Sequence, residues 1–412
     1  METLISVSSA SEIMLSEITT VGIERILIEL AVDRVLASDF ISHLKLPPFN
    51  NSSMDGFVVQ CLDTKSASED KPVTVEVIGD ITAGNHPTLV IHSGQAARIF
   101  TGSAIPEGAD AVIPVEKTNH GFGNAGEPIP EKVTIFAPVA KGDYIRPAGQ
   151  DVKIGDLLLK GNKRLRPQDV GILAMQGMPF VDVYRKPRIG LLSTGDELLQ
   201  VGDQWQPGKI FESNSYTLRG QIQRNDCQPV YLGACKDTAE DVRAVLDKAV
   251  AAEVDLILSS AGVSVGAYDY IRWVIAKEGE LKLWRVNIRP GKPIAYGSYK
   301  GVPFVGLPGN PVSAFVCFEV FVKPLLEKMG GLQHQPRVSH TVRLLEAVES
   351  DGRESYLRAS VSQGDGEWIA NITEHQGSGN LLSLVRANAL VVIPAGVKSL
   401  PAGERVKAWI LQ

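Results

Sequence analysis

Four strings rich in glycine, serine, threonine, aspartate and proline carry residue types that could hold an anion or a cation. In Ser193-Thr194-Gly195-Asp196-Glu197, hydroxyls and a bare backbone can approach an anion, while Asp196 or Glu197 could hold a metal or accept a proton. By itself this string also fits an ordinary helix-entry loop with acids near the helix dipole. Ser259-Ser260-Ala261-Gly262-Val263-Ser264-Val265-Gly266, followed by Asp269, is a run of small residues long enough to turn several N–H groups toward a phosphate. It matches neither a Walker loop nor G-x-G-x-x-G. In Arg289-Pro290-Gly291-Lys292-Pro293, two prolines stiffen a cation-bearing loop, so less ordering remains when a multiply charged ligand binds. Leu307-Pro308-Gly309-Asn310-Pro311-Val312-Ser313 aims a helix N-terminus at whatever lies beyond it. Upstream, Asn50–Gly56 ends in Asp55-Gly56. Phe100-Thr101-Gly102 and Arg146…Gly149-Gln150-Asp151 are further polar turns. Asp55 and Asp151 reach such a site only if the N-terminal region packs on it, from the same chain or from another subunit.

The elements around these strings say where they sit. From Pro187 onward, apolar strands alternate with helical stretches: strands at Arg188–Leu192, Val230–Gly233, Val254–Ser259 and Phe304–Leu307, and helices at Tyr216–Arg224, Thr238–Ala252, Tyr270–Lys277 and Val312–Val322. Ser213 or Asn214 would cap the first helix. Thr238 with Asp241 resembles a capping box, and Asn310-Pro311 opens the last helix, with Pro324 marking its end. Such alternation argues for a mostly parallel, doubly wound sheet, whose ligands bind beyond the carboxyl ends of the strands. All four strings fall there or nearby.

The rest of the chain reads differently. Glu12–Leu30 carries apolar residues at helical spacing, so helices are expected there. Short β-branched runs between Pro72 and Pro138 form a β-rich module with loops such as Asn119–Pro128. After a turn-rich linker at Gly330–Pro336, alternating runs from Arg337 to Gln412 predict a small β-barrel or sandwich. The expected division is an N-terminal helical and linker domain (1–50 and 140–180), an inserted β-rich module (51–139), an α/β domain (181–330) and a C-terminal β domain (337–412).

Composition narrows the function. Of 412 residues, 44% are hydrophobic and 21% charged, so each domain can bury a core. The net charge of -6 and the lack of a Lys/Arg run argue against nucleic acid or an acidic membrane as partner. No apolar run nears the roughly 18 residues of a membrane span. Met1–Leu15 does not read as a secretory signal, which predicts a cytoplasmic chain. The four cysteines form no C-x-x-C pair and the seven histidines are scattered, so no zinc site is expected.

Taken in order, the strings resemble the molybdopterin molybdenumtransferase family, which includes the E domain of gephyrin. The matching residues are N-N-S-S-M-D-G (50–56), R-I-F-T-G (98–102), G-A-D-A-V (108–112), S-T-G-D-E-L (193–198), S-N-S (213–215), S-V-G-A-Y-D-Y (264–270), P-G-K-P (290–293), L-P-G-N-P-V-S (307–313) and G-S-G-N-L (377–381). The resemblance spans nearly the whole chain. It implies an L-shaped homodimer of four-part subunits, with the site near the interface. The family takes adenylylated molybdopterin and molybdate, uses Mg2+, and yields molybdenum cofactor and AMP. The adenylyltransferase that makes the activated pterin is then an upstream partner. Carried over, Asp55, Glu197, Asp237, Asp269 and Lys292 act in the chemistry, with Glu197 and Asp269 on the metal. Thr101, Asp151, Ser264, Gly266, Arg289, Pro308, Pro311 and Ser378 bind substrate. Pterin dithiolene sulfurs, not protein cysteines, would take the molybdenum. Three positions depart from the family: Ala261 stands for a glycine, Arg289 for a lysine and Gln150 for a glutamate. An adenylyltransferase, a scaffold without turnover and a tungsten-inserting enzyme are the competing readings.

Overall fold

The computed structural model describes residues 4–121, 128–262, 270–333, 337–364, 366–373 and 375–411. The chain forms two compact units: Met1–Ser38 with Gly161–Gly171 and Pro179–Gln412, and Asp39–Lys160 with Ile172–Met178. In chain order the elements used below are α1 (Val7–Glu17) and β1 (Ile23–Leu27), then β2 (Gly56–Val59), β3 (Val73–Ile81), β4 (Gln95–Ile99), β5 (Ala111–Pro114) and β6 (Lys132–Ile135). There follow β7 (Phe180–Tyr184), β8 (Arg188–Thr194), β9 (Leu198–Leu199), β10 (Ile210–Phe211), α2 (Asn214–Arg224), β11 (Gln228–Cys235), α3 (Ala239–Ala251), β12 (Leu256–Ser260) and α4 (Tyr270–Glu278). The last are β13 (Glu280–Trp284), β14 (Ala295–Tyr299), β15 (Val302–Leu307), α5 (Pro311–Cys317), α6 (Lys323–Met329), β16 (Ser339–Leu344), β17 (Glu354–Gly364), β18 (Glu367–Ile372), β19 (Ala389–Ile393) and β20 (Arg405–Ile410).

The larger unit is built on a six-stranded sheet in the order β11-β8-β12-β15-β14-β13. The first four strands are parallel, and β14 and β13 add antiparallel. The sheet is thus mostly parallel, with an antiparallel pair at one side that the strands read from sequence did not include. The missed hairpin β14–β15 turns through Lys300 and Gly301, both at positive φ (48° and 83°), as a tight two-residue turn requires. Strands β8, β12 and β15 are apolar on both sides because both faces are covered. Ile189, Leu191, Leu256, Leu258, Val305 and Leu307 pack with α1, α2 and α5, whereas Leu192, Ile257 and Phe304 pack with α3 and α4. Helix α3 starts where predicted: the Thr238 hydroxyl accepts the Asp241 N–H at 3.2 Å.

Two expectations fail. The helical reading of Glu12–Leu30 holds only as far as Glu17, and Ile23–Leu27 is a strand paired antiparallel with β7. Ile23, Ile26 and Leu27 mimic helical spacing, and the pairing partner lies over 150 residues away, so nothing local signals the strand. Residues 1–50 and 140–180 thus combine the helices Val7–Glu17 and Pro167–Met175 with short strands and are not wholly helical. Nor does Pro324 end its helix: five residues of π-helix (Phe318–Val322) separate α5 from α6, and Pro324 sits at the start of α6. There its missing N–H removes no bond the widened turn needs.

The C-terminal strands close on themselves, β17-β18-β16-β20-β19 and back to β17, a five-stranded barrel. Its interior holds Val342, Leu344, Leu357, Ala359, Val361, Ala370, Val391 and Ala408. In the smaller unit a five-stranded sheet runs β5-β2-β4-β3-β6 over a core of Phe57, Val75, Ile113 and Ile135. Among the described residues no helix is long and apolar enough to cross a membrane.

Candidate functional site

Loops after β8, β12 and β15, with the start of α2, line one cleft of about 650 Å³ at the carboxyl ends of the parallel strands. Ser193, Thr194 and Glu197 come from β8 and its loop. Gly195 has φ 146°, and a Cβ there would lie 2.7 Å from Glu197 Oε2, so only glycine lets the carboxylate fold back over the turn. The Glu197 carbonyl accepts the Ile210 N–H at 2.9 Å, fixing the loop to β10.

Behind β10, Glu212 is a carboxylate exposed to only 3%. It accepts the Ser215 N–H at 2.7 Å and the Ser215 hydroxyl, and lies 3.4 Å from Ser193 Oγ. Ser213 occupies the N-cap of α2 without a side-chain bond, and Glu212 satisfies the helix start instead. Asn214 Nδ2 donates to Ser260 Oγ and to the Gly309 carbonyl, both at 2.7 Å, tying α2 to the ends of β12 and β15. Ala261 takes φ 76°, an uncommon place for a residue with a Cβ, and its methyl faces Gly309.

Negative charge gathers on one side. Burial pushes the Asp237 carboxyl above its usual range, and the Asp196 and Glu197 carboxylates push it further. The Thr194 hydroxyl and the Asp196 N–H oppose the shift. Among the described residues no lysine or arginine pairs with these three acids. Lys209 reaches the Asp196 carbonyl rather than its carboxylate. No group of three or more His, Cys, Asp and Glu side chains among the described residues is arranged to hold a metal.

Cations lie close by in the chain and in the barrel. Pro293 lines the cleft, and Lys292 beside it is exposed, with no ion-pair partner among the described residues. Gly291 is obligatory: a Cβ would come within 2.2 Å of Cys317 Sγ. A cation the sequence reading missed is Arg358, 1% exposed inside the barrel strand β17. Its pKa falls to about 10, through burial first and then the nearby charge of Arg289. Arg358 donates to Ser383 Oγ at 3.0 Å and to the Gly377 carbonyl at 3.1 Å, beside Ser378. The signal was an arginine inside an otherwise apolar strand pattern, Tyr356–Val361.

Of the residues expected from sequence, Glu197, Pro308 and Pro311 line the cleft, and Asp237 adjoins it through Thr194. Ser378 meets the cleft residue Asn310 at 2.9 Å, and Arg289 and Lys292 flank its Pro293 side. Ser264, Gly266 and Asp269 lie outside the described residues. Asp55, Thr101 and Asp151 belong to the smaller unit. Asp55 Oδ1 accepts both the N–H and the hydroxyl of Thr101 at 2.7 Å, and Asp151 pairs with Arg146 at 2.7 Å.

Comparison with known proteins gives the same family along the chain. Residues 5–177 match the family described as "MoeA N-terminal region (domain I and II)", 190–328 the "Probable molybdopterin binding domain", and 341–411 the "MoeA C-terminal region (domain IV)". A molybdopterin molybdenumtransferase of Nostoc sp. is 36% identical over 381 residues, covering 90% of this chain and 85% of the relative. One from Haemophilus influenzae is 36% identical over 385 residues, covering 91% of each. The crystal structure of the molybdopterin biosynthesis MoeA protein from Pyrococcus horikosii superposes with a TM-score of 0.87 at 33% identity, covering 100% of both chains. The chain belongs to the molybdopterin molybdenumtransferase family.

Proposed function

We propose that this chain inserts molybdate into adenylylated molybdopterin, using Mg2+, to give molybdenum cofactor and release AMP. The observation that supports the reading is one strand-end cleft lined by Glu197 and Pro293, with Asp237 joined to its wall through Thr194 and the exposed Lys292 next to Pro293 in the chain. Bound Mg2+ would neutralise the pyrophosphate and polarise it toward attack by water. Glu197 would hold that ion with Asp269. Asp237 would take or hold a proton, its acidity weakened by burial first and then by the Asp196 and Glu197 carboxylates. Lys292 and Arg289 would offset the substrate phosphate and the incoming molybdate oxyanion. The four cysteines stay out of the chemistry: Cys227, Cys235 and Cys317 are buried and free, and Cys61 belongs to the smaller unit. The same reading makes the protein a cytoplasmic homodimer that receives its substrate from an adenylyltransferase.

The test is to incubate the full chain with adenylylated molybdopterin, Mg2+ and molybdate or tungstate, and to follow AMP release. Release with molybdate supports the reading. ATP consumption instead would identify an adenylyltransferase, neither reaction a scaffold, and release with tungstate alone a tungsten enzyme. Lys292→Ala should weaken molybdopterin binding about tenfold in a calorimetric titration while the fold is kept; unchanged affinity would remove Lys292 from the site.

A further inference from the structure

Phe211 is the one aromatic side chain lining the cleft among the described residues, and it is 43% exposed. It has no ring or cation–π partner among the described residues. Its backbone, by contrast, is held on both sides. The Ile210 N–H binds the Glu197 carbonyl at 2.9 Å, and the Glu212 N–H binds the Leu199 carbonyl at 2.8 Å. Glu212, the next residue, is buried and anchored on Ser215. An exposed ring on a fixed backbone loses little freedom when something covers it.

Strands β8 and β15 flank β12 in the sheet, so the arm bearing Phe211 and the loop bearing Pro308, Gly309 and Pro311 rise on either side of the β12 terminus. Phe211 thus lines the same cleft as Pro308, Gly309 and Pro311, which carry no long side chain. Between them lie the hydrogen-bonding groups Ser260 and Asn214. A slot of this kind fits a flat, polar-edged heterocycle better than a flexible chain.

We infer that Phe211 is the stacking platform for the bicyclic pterin ring, with Glu212 as the positioning residue behind it. The inference rests on the proposed function and deepens it: the ring lies against Phe211, and the phosphate end lies toward Arg289 and Lys292.

The test is fluorescence titration of the full chain with two stable probes, neopterin and a neopterin phosphate. Phe211→Ala should weaken both probes by about tenfold, the loss expected for one stacked ring. Phe211→Tyr should bind both as the parent does. Lys292→Ala should weaken only the phosphate-bearing probe. The unfolding midpoint of each variant separates lost stacking from lost structure. Equal binding of both probes by Phe211→Ala and the parent overturns the platform while leaving the proposed function intact. So does weakened AMP binding with unchanged pterin binding, which would give the ring face to the nucleobase. A parent chain that binds neither probe overturns both readings.

Discussion

The main-chain carbonyl of Ser378 accepts the Val312 N–H at 3.0 Å, so a loop of the barrel closes the first turn of α5. Pro311 has no N–H to offer, and Asn310, the N-cap, spends its side chain on the Ser378 hydroxyl at 2.9 Å rather than on the helix. The helix start that the sequence aimed at a ligand is therefore partly satisfied by the protein itself.

Removing that side-chain contact should be mild. Ser378→Ala keeps the carbonyl bond, and the lost contact is near the surface. The expected cost is at most about 1 kcal/mol in urea unfolding. Asn310→Ala should cost about as much, and the double variant no more than either alone by a further few tenths. Fully additive losses would show that the two side chains act independently.

Ala261 stores strain. A residue with a Cβ in the left-handed region costs roughly 1–2 kcal/mol, and the greater freedom of glycine in the unfolded chain offsets about half of that. Ala261→Gly should therefore raise stability by about 0.5–1 kcal/mol in urea. A lower midpoint would mean that the methyl packing near Gly309 outweighs the backbone strain.

Asp237 should trade stability for activity. Its folded carboxyl is raised above the unfolded value, so its contribution is most favourable below the unfolded pKa and is lost as pH rises through the folded one. At pH 7 the ionised group sits among like charges. Asp237→Asn should then leave the unfolding midpoint unchanged or slightly raised, a gain kept below about 1 kcal/mol by solvent screening. The same change should reduce Mg2+-dependent AMP release at least about tenfold. A marked loss of stability at neutral pH would contradict the like-charge picture.

Asp169 should behave in the opposite way. Burial alone would raise its carboxyl, but hydrogen bonds from Arg166 and Lys163 outweigh burial and hold it below the usual carboxylate range. With a depressed folded pKa, its stabilisation is present above the unfolded value of about 3.9 and is lost as pH falls further. Asp169→Asn should cost about 2–4 kcal/mol at pH 7 and far less near pH 2. An equal cost at both pH values would mean that packing, not charge, is what the substitution removes.

The sequence was most legible where burial is two-sided. Strands β8, β12 and β15 are unbroken apolar runs because helices cover both faces, and the loops after them are where ligands must approach. The barrel strands announced themselves by alternation. Strand β1 did not, because its partner β7 is remote and its spacing imitates a helix. Lys300-Gly301 was a hairpin signal that passed unread beside the stronger helical patterns. At the site, the acids and the stiff cation loop were readable as strings. Arg358 and Phe211 were not, since their importance lies in what surrounds them: burial against Ser383 and Gly377 on the face of β17 opposite the barrel core for one, and an uncovered ring beside a buried carboxylate for the other.

The closed ring of C-terminal strands has a consequence for handling the protein. Strand β20 (Arg405–Ile410) hydrogen-bonds to β16 on one side and β19 on the other. Clipping it would open two unsatisfied margins at once, each with N–H and C=O groups ready to recruit a second molecule. A tail trimmed by a few residues should thus cause self-association far out of proportion to the length removed.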